Sequence, residues 1–409
     1  MPNQYLDRAA QLEGFLKLDP DNAVLMNELA DCHHHGGNQE RALEIYDRLI
    51  SMSGETPALL NAKGSALLAT GRWQEAAKFL EKAVAADRNA APLLFNLGYA
   101  QLGTGAMKEA ISNLARAAEI RADDPRIRYL LAVAHDEVGD SDKAEQDLAR
   151  VIQLDPHHHD ALTFCAHLQM AKGRIGEARK TLERLVEAHP RSADALWLRA
   201  QLEMLNFDAA KALEYLRRAE ALAADDVDIL IAIGQANLML QRPTAARRAA
   251  ARAIALDPEE PTARMILGWA YLFENDLSQA ERSFGETLRL DPQQADAEAG
   301  LALIALGGND LPRTREALQR AKRIDPANPA VLLTEGALAN KQGNPELARR
   351  VLEELMSMNS LGQAGWTNRG LMERNAQSAT LRRVTGKWMR YVRRRQRAER
   401  LASLKGARR

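Results

Sequence analysis

The sequence predicts an all-α solenoid of antiparallel helix pairs, and three observations predict it: a 34-residue period, two rows of small residues in that period, and turn signals at constant phase. Steps of 34 from Ala30 give Gly64, Gly98, Ala132, Ala166, Ala200, Gly234, Gly268, Ala302 and Gly336, so ten successive repeats carry Gly or Ala at one position. The same step from Ala42 gives Ala76, Ala110, Ala144, Ala178, Ala212, Ala246, Ala280, Thr314 and Ala348, a second small position with one exception. Helix axes approach closely only where a side chain is nearly absent, so each row marks a crossing between neighbouring helices.

Each repeat divides into two helices. Gly71, Gly105, Gly139, Gly173 and Gly343, with Asn275 and Asn309 at the same phase, stop the first helix. Four residues after the second small position stands a large apolar residue, Tyr46, Leu80, Leu114, Leu148, Leu182, Leu216, Phe284, Leu318 or Leu352, with Ala250 the small exception. Asp-Pro pairs at 155–156, 257–258, 291–292 and 325–326 close the second helix. The same pair at 19–20 makes Gln4 to Leu18 the second helix of an incomplete repeat, so residues 1–22 form an N-terminal cap, 23–362 ten tandem repeats, and 363–409 a C-terminal cap and basic tail.

These residues resemble the tetratricopeptide repeat family, with Leu97-Gly98, Ile233-Gly234, Leu267-Gly268 and Tyr271 as the best matches to its pattern. The resemblance implies a right-handed superhelical solenoid with capping helices at its ends, whose first helices line a concave groove. It implies a protein-binding scaffold or adaptor, chaperone-like or part of an assembly or secretion pathway. Lys63, Arg199 and Glu335 depart from the leucine the family prefers and are expected to loosen their repeats.

The resemblance also assigns groove positions. In the sixth to eighth repeats these are Trp197, Leu198, Met204, Leu205, Ile231, Leu238, Met239, Met265, Ile266, Trp269, Leu272 and Phe273, an apolar surface expected to hold a partner helix or extended segment. Packing against a neighbouring helix is the alternative for each. In the first half the inward set is polar: Asn27, Asp31, Asn61, Asn96, Tyr99, Arg126, Tyr129 and Asp136. Some family members clamp a terminal carboxylate of a chaperone tail, and Asn96 and Arg126 resemble two parts of that clamp. Asn61 and Ser65 stand where its lysine and asparagine belong, which argues against the clamp here.

No residue set announces catalysis, a cofactor or a metal. Adjacent helical residues point about 100° apart, so Cys32-His33-His34-His35 cannot converge on one ion, and His157-His158-His159 falls on a turn; both runs read as solvated histidines. The acids recur at helix starts, where they cap amides. Phosphate-binding loops, nucleophile elbows and zinc-protease motifs are missing from the sequence, so the expectation is a non-enzyme. Two cysteines and the lack of a long apolar run suggest a reducing, cytoplasmic setting.

The net charge of zero conceals a partition. Residues 363–409 hold 14 Lys/Arg against Glu373 and Glu399, leaving the preceding chain with an equal acidic excess. Leu381, Val384, Trp388, Tyr391 and Val392 recur at helical spacing among Arg382, Arg383, Lys387, Arg390, Arg393, Arg394, Arg395 and Arg397, a basic amphipathic helix. It reads as a cap on the last repeat, as a binder of nucleic acid or anionic membrane, or as a segment that folds back over the groove.

Overall fold

The structure, a computed structural model, describes residues 2–206 and 208–351. The tail at 363–409, with Arg382, Arg383, Lys387, Arg390, Arg393, Arg394, Arg395 and Arg397, and the filler Leu352, lie outside the described residues. Among those described, every regular element is a helix. First comes α1 (Pro2–Leu16), then the pairs α2/α3 (Ala23–His35, Gln39–Ser53), α4/α5 (Pro57–Ala69, Trp73–Ala86), α6/α7 (Ala91–Thr104, Met107–Ile120) and α8/α9 (Pro125–Glu137, Ser141–Leu154). The pairs α10/α11 (His159–Ala171, Ile175–Ala188), α12/α13 (Ala193–Leu205, Ala209–Leu222) and α14/α15 (Val227–Met239, Pro243–Leu256) follow. Then come α16/α17 (Pro261–Phe273, Leu277–Leu290), α18/α19 (Ala295–Gly307, Leu311–Ile324) and α20 (Pro329–Lys341). The result is an all-α repeat solenoid. Its helices group into two compact units that divide between Ala161 and Leu162.

The small and large rows pack against each other. A Cβ at Gly64 would lie 2.7 Å from Leu80 Cγ, at Gly98 2.6 Å from Leu114 Cγ, and at Gly268 2.7 Å from Phe284 Cδ1. In these three repeats the filler occupies the space the missing side chain leaves, and Leu80, Leu114 and Phe284 are fully buried. Where the filler is Ala250, Gly234 is less crowded, with Ile266 Cγ2 at 3.1 Å as the first atom met.

Local chemistry ends each helix as its sequence dictates. Gly105 and Gly139 take φ of 83° and 84°, while Asn275 and Asn309 reach 60° and 64° without glycine. Gln241 does the same at φ 57°, a stop that its residue type does not signal. Asp140, Asp208, Asp276 and Asp310 accept the backbone N–H three residues on, capping α9, α13, α17 and α19. In the closing turns Asp155, Asp257 and Asp291 accept from the N–H two residues later at 3.0, 3.0 and 2.9 Å.

In the first unit α1 packs on α2 through buried Ala9 and Leu12, and Tyr5 stacks on His35 at 5.4 Å. In the second unit successive first helices stack on one another, α14 on α16, α16 on α18 and α18 on α20.

The three departures from leucine are held by ion pairs. Lys63 pairs with Asp47 and lies 3.9 Å over the Phe79 ring. At the equivalent position four repeats later, Arg199 reaches Glu183 at 3.6 Å and pairs with buried Glu203, and four repeats beyond that Glu335 accepts from Lys322 at 2.9 Å. Each charge spans from a first helix to a second helix or along its own, so the position keeps a tie where leucine would pack.

Candidate functional site

The first unit carries a cavity of about 300 Å³ between α6 and α8, closed by the turn that leads into α10. Repeat geometry brings its walls together: Ser65 comes from α4, Phe95, Asn96 and Tyr99 from α6, and Arg126 and Tyr129 from α8. Proline at the start of α6 and α8 pre-sets the first turn and leaves their inward residues one turn apart along the cavity.

Its floor is aromatic and its rim polar. Tyr129 stacks on His158 with ring centroids 5.7 Å apart, and Tyr99 meets Trp73 edge-on at 5.3 Å. Asn96 Nδ2 donates to Asn61 Oδ1 at 2.8 Å, which fixes both amides across two repeats. Arg126 lies 5.7 Å from the Phe95 ring centroid and donates to Asp124 from Nε at 3.1 Å and Nη2 at 2.8 Å. That two-pronged bond holds the Asp124 carboxyl below the usual carboxylate range and raises Arg126. His158 Nδ1 accepts from the Ala161 N–H at 3.3 Å, which holds the ring at the turn.

Of the polar residues singled out from the sequence, Asn96, Tyr99, Arg126 and Tyr129 all line this cavity, and Asn61 joins it through Asn96. Asp31 instead accepts from Tyr46 at 2.6 Å and from Asn27 at 3.4 Å. Burial, then that bond, drives the Tyr46 phenol far above its usual range, which marks a packing role. Arg126 is committed to Asp124, so a free terminal carboxylate would have to displace an existing partner. The pocket therefore suits an internal segment better than a chain end.

Phe95 was open to detection, since it lies one period before Tyr129. His158 was not, because a run of three histidines on a turn carries no helical phase. The reading of solvated histidines is corrected at two positions: His158 is partly buried against Tyr129, and His33 is buried, which lowers its pKa.

The apolar set of the second unit is placed differently from expectation. Leu198, Met204, Ile231, Met239, Met265, Ile266 and Trp269 belong to one buried core cluster, with Trp197 and Phe273 partly buried against it. Trp269 is fully buried and meets Phe284 edge-on at 5.4 Å. Stacked first helices cover these side chains, which corrects the picture of an exposed apolar groove.

Two family models, both described as tetratricopeptide repeat, match the chain: one at residues 67–134 and 137–202, the other at 4–58, 231–276 and 267–329. The chain belongs to the tetratricopeptide repeat family. Members of this family generally mediate protein–protein interaction and are typically non-catalytic. Among solved structures, the APC/C hetero-tetramer Cut9–Hcn1 is 15% identical, with 94% of this chain and 85% of that one covered at a TM-score of 0.50. A tetratricopeptide repeat protein from Parabacteroides merdae is 16% identical, covering 60% of this chain and 97% of its own at 0.48. Yeast Tom70 is 14% identical, covering 95% and 93% at 0.41. At these identities the first likeness supports the fold alone. No curated protein matches the chain. Among the described residues no helix is long and apolar enough to cross a membrane.

Proposed function

We propose that this tetratricopeptide repeat protein is a non-catalytic scaffold that seats a peptide segment of another protein in the α6–α8 pocket. The observation that carries this reading is the convergence of the Asn96 amide, held by Asn61, with aromatic walls, Tyr99 and Tyr129, on one cavity of about 300 Å³. Amide side chains recognise peptide groups through one donor and one acceptor each, and aromatic walls take an adjoining side chain at low entropic cost. The neutralised Arg126–Asp124 pair at the rim supports an internal segment over a terminal carboxylate.

The expected result is read with a random peptide library panned on the full chain. Peptides so selected lose on the order of tenfold or more in affinity for Asn96→Ala combined with Tyr129→Ala, about what two hot-spot contacts supply. Undiminished binding by the double variant, with helical content retained, contradicts the assignment.

A further inference from the structure

We propose that the same pocket and its acidic border dock the chain's own C-terminal segment, residues 381–397, in competition with partner peptides. The inference rests on the reading of the pocket as a peptide site and adds its resident occupant.

Charge identifies that occupant. Residues 1–161 hold 25 Asp/Glu against 16 Lys/Arg, whereas residues 363–409 hold 14 Lys/Arg against two acids. The first unit thus carries most of the acidic excess that balances the tail. Asp136 and Glu137 end α8, the helix that carries Tyr129, Asp140 caps α9, and Asp142, Glu145 and Asp147 follow on α9, with Lys143 as the one base in this stretch.

Spacing agrees with charge. Asp136 follows Tyr129 by seven residues on α8, two helical turns along one face, about 10.5 Å. In the tail Arg395 follows Trp388 by the same seven residues, within a stretch whose apolar residues recur at helical spacing. A helical segment with Trp388 at the aromatic pocket would bring Arg395 level with Asp136.

The test follows tryptic cleavage at Arg393, Arg394, Arg395 and Arg397 in the full chain, by mass spectrometry, against a synthetic peptide of residues 378–409. Docking slows cleavage about tenfold relative to the peptide, the protection expected when nine-tenths of the segment is held. About 1 M salt, which shortens the Debye length to about 3 Å, removes the protection. So does Asp136→Asn with Glu137→Gln and Asp142→Asn, a variant that leaves Asp147 paired with Arg128 and His135. Peptides selected on the pocket release the tail in the unmodified chain. A tail cleaved as fast as the peptide overturns the proposal, as does protection that survives neutralisation of the acids. Protection that rises with chain concentration overturns it by assigning the segment to a second copy. Protection only with phosphatidylserine vesicles or single-stranded RNA overturns it in favour of phosphate binding. If selected peptides bind while the tail is already exposed, the pocket reading stands and the tail contact alone falls.

Discussion

Trp269→Ala is expected to lower stability by about 3–5 kcal/mol, the usual cost of removing a large buried aromatic side chain. The indole is fully buried, and its edge-on contact with Phe284 ties α16 to α17 at the point where Gly268 admits the phenyl ring. Truncation there empties a volume that two helices share, and in a stacked array such a lesion weakens the coupling between neighbouring repeats. The measurement is urea unfolding with hydrogen exchange resolved over α16 and α17, since an array of this length need not unfold in one step. Protection should fall first in those two helices. Unchanged unfolding together with lost peptide binding would return Trp269 to a groove role.

The second large effect concerns a carboxylate. Glu203 is 1% exposed and pairs with Arg199, itself 2% exposed, while Arg179 Nη1 and Lys211 Nζ each approach to 3.5 Å. Glu203→Ala leaves Arg199 in the core with half-exposed Glu183 at 3.6 Å as its remaining carboxylate. Breaking a buried pair from one side costs about 3–5 kcal/mol, and the same loss is expected here. Arg199→Leu combined with Glu203→Leu should instead be neutral or stabilising, because both desolvation penalties disappear and leucine is the residue the family prefers at the first position. Thermal melting of the two variants checks the pair. A Glu203→Ala chain within about 1 kcal/mol of the parent would mean that Glu183 and water already neutralise Arg199.

These outcomes also show how far the amino-acid pattern could be read. Repeat length, helix pairing and crossing points were legible because each rests on local volume: glycine at 64, 98 and 268 opposite Leu80, Leu114 and Phe284 is a statement about space along one chain. The pocket was legible in its polar members, because Asn96 and Tyr129 would be poor choices for a contact between helices. Its aromatic partner His158 was hidden by position on a turn. The apolar set from Trp197 to Phe273 was misplaced for a physical reason. A 34-residue step shows which residues are equivalent, but burial depends on how closely the neighbouring first helices stack, and α14, α16 and α18 lie against one another. The partners of Arg199 were hidden as well, because Glu183 lies on a second helix and Glu203 one turn further along the same helix.

The central claim is that the α6–α8 pocket seats a peptide, and site-specific photo-crosslinking tests it most directly. A benzophenone side chain placed at Ser65, on the pocket wall, is compared with one at Thr244, whose hydroxyl donates to Glu274 in the second unit. Each full chain is illuminated with a library-selected peptide. The account predicts an adduct from position 65 that unlabelled peptide suppresses, and background from position 244. Equal adducts from both positions, or none from position 65 while the peptide remains bound, would place the peptide elsewhere and contradict it.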